Sequence, residues 1–339
     1  MMRTSVVIGA LAISGCGPSS ASSVGSAHSA SNGEAPSEPP RAQATCPAEP
    51  TFSPTGDYKH KRTRLLVQSQ GSPRHSASDV AVAAGKPAMV RGKFTYGKGG
   101  KDLEDEEISL FVRDESCTWR SIDKAFTNDD GWVGMEVPES FISKPGRYAF
   151  QLVVRGDGSR ASGTVYSVEK GTRAVVFDVD ATLTVGDEEI AREVIENKVP
   201  EAQPHGNEVA RAWNAQGLLP VYLTGRPYML GPSTRTWLAS HGFPEGLVRT
   251  TESVEACLPT AEGVGAYKKA ALEDFKSAGL DLAIAYGNAT TDICAYAAAG
   301  IDPKRTFILG PFAGQGCDGN GTTVALPGYA DHAKALPTL

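Results

Sequence analysis

Three absences narrow the reading of this sequence before any motif is considered. The 339-residue chain has no excess of positive charge; its formal net charge is −6. That mild acidity lacks the electrostatic footprint of a nucleic-acid partner. Its six histidines, at 28, 60, 75, 205, 241 and 332, are scattered, and no Cys or His spacing matches a zinc site. No segment after the first residues reaches the ~18 apolar residues that a transmembrane helix needs. Large apolar side chains are also scarce from 17 to about 55, where Ser, Ala and Pro dominate. Such a stretch buries too little surface to offset its ordering entropy and is expected to act as a spacer.

What is present begins with "MMRTSVVIGALAISGC": one Arg, a short apolar run and small residues, the outline of a secretory signal. Its end, Ile13-Ser14-Gly15-Cys16, resembles the lipobox of bacterial lipoproteins. The resemblance implies a signal over 1–15, lipid on Cys16 and a tether over 16–55. It places the protein outside the cytoplasm, anchored to a membrane on the periplasmic or cell-surface side, with the outer membrane the expected one. Five cysteines follow Cys16, and export permits disulfides. The odd number leaves one thiol over. Pairing Cys46 with Cys117 and Cys257 with Cys317 keeps each bridge within one domain. Cys294 is then a buried thiol in a helical pattern. Order along the chain does not by itself select this pairing.

The length allows two domains, and the hydrophobic period changes between them. From 56 to 170 the candidate strands are "TRLLVQS", "KPAMVRGKF", "EEISLFVRD", "GWVGMEVP", "GRYAFQLVVR" and "ASGTVYSVEK", separated by turn clusters such as "TNDDG" and "RGDGS". Tyr148, Phe150, Leu152 and Val154 alternate onto one face. The pattern predicts an all-β, immunoglobulin-like sandwich. Two charged stretches here, "KHKRTR" (59–64) and "DLEDEE" (102–107), read as solvated surface.

From 171 to 339 apolar strands alternate with helical patterns. "AVVFDVD", "LLPVYLTG", "LDLAIAYGN" and "RTFILG" are strands; "EEIAREVIEN", "GNEVARAWNAQG", "PSTRTWLASHG", "GAYKKAALEDFKSAG" and "TTDICAYAAAG" are helices. This predicts an α/β domain with a doubly wound, Rossmann-type parallel sheet. Function in such sheets gathers at the carboxyl ends of the strands. Asp178, Asp180, Thr224, Asn288 and Asp292 all fall there.

Read together, "DVDAT", "VYLTGR", "YKKAAL" and "AYGNATTD" look like the four motifs of the haloacid-dehalogenase (HAD) phosphohydrolase superfamily. More narrowly, residues 172–312 resemble the catalytic domain of lipins and the domain that ends the Nir/RdgB phosphatidylinositol-transfer proteins. A preceding β-sandwich resembles the actin-patch type of phosphatidate phosphatase. The resemblance implies that Asp178 is a nucleophile forming an aspartyl-phosphate and Asp180 a general acid and base, with Thr182 steadying their loop. It implies phosphate contacts from Thr224 and Lys268. It implies Mg²⁺ held by Asp178, the main-chain carbonyl of Asp180 and Asp292, with Asn288 orienting the loop behind them. Arg226 could contact either substrate or main chain. Ala181 stands where many relatives have Gly, whose left-handed conformation Ala resists.

The expected activity is therefore Mg²⁺-dependent hydrolysis of a phosphomonoester, with phosphatidate the substrate suggested by the lipin likeness. Two other readings stand beside it. One is a module that binds phosphatidic acid without turnover, as in relatives that lack the nucleophilic Asp. The other is an envelope scaffold or adhesion lipoprotein whose sandwich binds a partner.

Overall fold

The computed structural model describes residues 46, 51–114, 116–186, 198–253, 256, 258 and 260–337. All of them lie in one compact unit, Ser37–Leu339. The signal and lipidation residue Cys16, the tether apart from its end, the helix expected over 188–197 and Cys257 lie outside the described residues.

The first folded part opens with a helix, α1 (Lys61–Gln70). The sequence pattern predicts a strand over 63–69, and the structure corrects this. Thr63 is buried and Val67 packs on the sandwich core, a spacing of four that belongs to one helical face. A strand would have turned Leu65 and Val67 inward together; instead Leu65 is exposed. The two charged stretches also answer each other. Lys59 and His60 pair with Asp105 at 2.7 and 2.8 Å, and their main-chain N–H groups donate to the Glu106 carboxylate.

The strands that follow are β1 (Ser76–Ala77), β2 (Val80–Ala83), β3 (Ala88–Lys93), β4 (Thr95–Tyr96), β5 (Lys101–Asp102), β6 (Glu107–Arg113), β7 (Trp119–Phe126), β8 (Trp132–Val137), β9 (Gly146–Val154) and β10 (Arg160–Val168). They form a three-stranded sheet β1-β3-β8, a five-stranded sheet β2-β10-β9-β6-β7 and a small β4-β5 pair. Tyr148, Phe150, Leu152 and Val154 are buried in the core between the two larger sheets, as their alternation requires. β7, "WRSIDKAF", is an edge strand with no buried residue, so it carries no apolar alternation to betray it.

The second part contains β11 (Thr172–Phe177), α2 (Gly206–Ala215), β12 (Leu219–Pro227), α3 (Gly231–Ser240), β13 (Leu247–Thr251), α4 (Ala266–Ser277), β14 (Leu280–Gly287), α5 (Thr290–Ala298), β15 (Thr306–Ile308), β16 (Val324–Ala325) and α6 (Tyr329–His332). The six strands are parallel, in the order β13-β12-β11-β14-β15-β16. Val175 and Phe177 enter one core with Trp213 and Trp237; Ala174 and Val176 enter the other with Leu272, Phe275 and Tyr296. This double covering explains why β11 reads as an unbroken apolar run. The chain leaves β11 toward β12 and β13, then returns to its other side as β14. That reversal opens a crevice at the carboxyl end of β11.

Two disulfides are present among the described residues. Cys46 joins Cys117, as expected. Cys317 joins Cys294, not Cys257, which corrects the predicted pairing and the predicted free thiol. Cys294 lies on the half-buried side of α5, where the loop after β15 passes over it.

Asp79 bolts the two parts together. Its buried carboxylate accepts the N–H of Thr164 in β10 and of Val248 in β13, at 2.7 and 2.8 Å, and pairs with Arg235 of α3.

Candidate functional site

The site grows from the end of β11. Asp178 continues the ladder, its N–H donating to the Tyr286 carbonyl of β14 at 2.9 Å. The chain then turns. Ala181 adopts φ +53°, and its N–H is held by Thr184 Oγ1 at 2.9 Å. This turn sends the two aspartates, which an extended strand would point the same way, into separate clusters.

In the first cluster, Lys268 of α4 donates from Nζ to Asp178 Oδ1 at 2.6 Å and to Asp292 Oδ1 at 2.5 Å. All three side chains are buried. Thr182 Oγ1 donates to Asp178 Oδ2 at 3.1 Å. Asp292 Oδ2 accepts the N–H groups of Asn288 and Ala289 at 3.1 and 3.0 Å, capping the first turn of α5. Gly287 is required beside it: a Cβ there would lie 2.7 Å from Asp292 Cβ. In the second cluster, Asp180 accepts from Arg226 Nε at 2.9 Å and from Thr224 Oγ1 at 3.0 Å, and Arg226 Nη2 lies 2.8 Å away as its ion-pair partner. Arg226 is fully buried and also donates through Nη1 to Thr234 Oγ1 at 3.1 Å.

Electrostatics follow from this packing. Burial pushes the Asp178 carboxyl up to about 7, opposed by Lys268 and reinforced by Asp292 and Asp180. Burial works against the Lys268 charge, but Asp178 and Asp292 outweigh it and hold the ammonium well above the ordinary lysine value. With three carboxylates against one ammonium and one guanidinium, the ionised site keeps one net negative charge.

Among the described residues, no three His, Cys, Asp or Glu side chains are arranged as a metal site. A different donor set does converge. The inward end of the Asn288 carboxamide lies 3.2 Å from both Asp178 Oδ2 and the Asp180 main-chain oxygen. With its nitrogen inward, Asn288 donates to both; with its oxygen inward, it accepts from Thr182 Oγ1 at 3.2 Å and sets a third oxygen beside those two. An all-oxygen set with a carboxylate suits Mg²⁺.

The structure thus brings together Asp178, Thr182, Lys268, Asn288 and Asp292. It places Asp180 and Thr224 beside them, hydrogen-bonded to each other. The weight of Arg226 is not legible in the sequence, where "TGRP" is also ordinary turn chemistry. Thr234, behind it, has no sequence signal.

Comparison with known proteins agrees with this two-part architecture. Residues 175–310 match the family model of the LNS2 domain of PITM 1-3. Residues 73–166 match the model of the PITM 1-3 beta-sandwich domain. Membrane-associated phosphatidylinositol transfer protein 1 of Rattus norvegicus is 30% identical over 264 residues, covering 77% of this chain and 20% of that protein. Protein retinal degeneration B of Drosophila melanogaster is 26% identical over 287 residues, covering 84% of this chain and 22% of that protein. The chain therefore spans about a fifth of the length of these relatives. A solved superoxide reductase (neelaredoxin) from Ignicoccus hospitalis overlaps 29% of this chain and 80% of its own at 15% identity, with a TM-score of 0.20, too low to carry an argument.

Proposed function

We propose that this chain is a phosphomonoester hydrolase on a HAD-like fold, acting on a lipid phosphate such as phosphatidate. The observation that carries this reading is the buried Asp178, held by Lys268 beside Asp292 at the crevice of a parallel sheet. Asp178 attacks phosphorus, the bond to the leaving oxygen breaks, and an aspartyl-phosphate forms. Asp180 protonates the leaving oxygen and later accepts a proton from a water that attacks phosphorus, which breaks the bond to Asp178 and releases phosphate. Lys268 balances charge on Asp178 and the phosphoryl group. Thr182 steadies the turn. Thr224 reaches a phosphate oxygen once it releases Asp180. Asp178, the Asp180 carbonyl and Asn288 would hold Mg²⁺, with Asp292 behind them, its two oxygens taken by Lys268 and by the N–H groups of Asn288 and Ala289. The ion would supply the positive charge that the site lacks toward a dianionic phosphate. Anchoring through lipid on Cys16, outside the cytoplasm, belongs to the same proposal.

A second reading, phosphomonoester binding without turnover, is favoured by one observation. Arg226 and Thr224 already engage both oxygens of Asp180, so the proton-transfer group is occupied at rest. Phosphate release from phosphatidate and from soluble monoesters, with and without Mg²⁺, separates the two. We expect Asp178→Asn to stay folded and lose about a thousandfold or more in kcat. Equal turnover by the two proteins would exclude the mechanism. Tight phosphatidate binding with no turnover would select the second reading.

A further inference from the structure

Seven large hydrophobic side chains are exposed among the described residues, and four of them belong to connections at one edge of the parallel sheet. Val185 is 40% exposed, Val199 72%, Met229 46% and Leu258 54%. All four lie on connections leaving the carboxyl ends of β11, β12 and β13, adjacent strands of the sheet. Val185 and Val199 occupy two legs of one connection, tied where Val185 N–H donates to the Glu201 carbonyl at 3.0 Å. Trp237 Nε1 fixes the second leg by donating to the Pro200 carbonyl at 2.7 Å. Met229 follows Arg226 by three residues. The carbonyl of Leu258 accepts the N–H of Val264 at 2.9 Å, and Val264 lies against Gly225 at the end of β12. Asp178 follows β11 at this same carboxyl edge of the sheet.

We propose that these four residues form a rim that seats the crevice on a phospholipid bilayer, with Val185, Val199, Met229 and Leu258 entering the apolar boundary below the headgroups. A crevice for a small soluble ester gains nothing from apolar side chains around its mouth. A headgroup presented at a bilayer surface requires its binder to meet that surface face on. The charge on these connections points the same way. Among the described residues of these connections Glu201 and Glu262 outnumber Lys198, and Glu252 is paired with Arg91, so no excess of positive charge draws this edge to anionic lipid and apolar insertion must supply the contact. The chain can also reach. Between Cys16 and Cys46, which is bonded to Cys117 of the sandwich, lie enough residues to extend about 100 Å, so anchorage at Cys16 leaves this face free to turn toward the membrane. The orientation of the rim toward a headgroup rests on the phosphate reading of the crevice; the rim itself rests on the exposures.

The test uses the full chain with Cys16→Ser, which carries no acyl anchor, and flotation with phosphatidylcholine vesicles with and without phosphatidate. The chain should float with both, more with phosphatidate, and its binding should be unchanged by added salt. Val199→Asp, Met229→Asp and Leu258→Asp should each lower partitioning about tenfold, with melting temperature and soluble-ester turnover unchanged. Wild-type flotation by these variants, or release by salt, overturns the proposal. So does an absence of flotation with a dimer that the same variants dissociate, which assigns the rim to a second copy. Flotation lost in the variants, in a chain that hydrolyses no ester, upholds the rim while removing the hydrolase reading.

Discussion

At Ala181 the backbone is left-handed, a conformation in which a Cβ costs roughly 1–2 kcal/mol. The turn is held by the Thr184 hydroxyl on one side and the Asp180–Arg226 pair on the other. Ala181→Gly should therefore raise stability by about 1 kcal/mol in urea unfolding; a loss would show that the turn is not strained. A second residue reports on pH. His75 is buried in the sandwich, accepting the Thr95 N–H at Nδ1, which leaves the proton on Nε2 to be donated to Ser159 Oγ at 2.8 Å. Burial lowers its value to about 4, against partial support for the charge from Asp157 and the Thr95 backbone. The unfolded chain thus takes the proton first. The stabilisation is full above the ordinary histidine value and is lost as pH falls from about 6.5 toward 4, by up to about 3 kcal/mol. His75→Asn should flatten that part of the stability profile.

At the level of elements, legibility followed burial. β9 and β11 could be read because each has a face, or two, committed to a core. α1 and β7 could not, because α1 is mostly solvated with Thr63 alone buried and β7 buries none. The Cys294–Cys317 bridge ties α5, which carries Asp292, to the loop after β15. Removing it with Cys317→Ser should cost about 3 kcal/mol, and a non-reducing peptide map should recover Cys294 joined to Cys317. Recovery of Cys257 with Cys317 would refute that pairing.

Across the whole molecule, the contact between sandwich and parallel sheet centres on Asp79. Arg91 with Glu252 and Arg147 with Glu245, each at 2.5 Å, lie at its margins and are more exposed. The stability should therefore sit in the buried pair. Asp79→Ala leaves Arg235 and two N–H groups without their acceptor and should cost about 3–5 kcal/mol. Arg91→Ala should cost less than about 1 kcal/mol. Thermal unfolding of the two variants checks the ranking.

The sequence by itself determined the local order: two hydrophobic periods, the alternation of strand and helix, and the placement of Asp178, Lys268 and Asp292 on elements that a parallel sheet must bring to one edge. These features depend on neighbours within a turn or a strand, so they are written locally. Only the tertiary structure decided which charges answer which. Asp180 meets Arg226 across 46 positions, Lys59 meets Asp105 across 46, and Asp79 meets Val248 across 169. Each of those partners has an ordinary local reading as turn or surface. At Asp180 and Asp79 packing removed the water that made those readings adequate, and a buried charge then took the partner the fold placed within reach, whereas Lys59 and Asp105 meet at the surface.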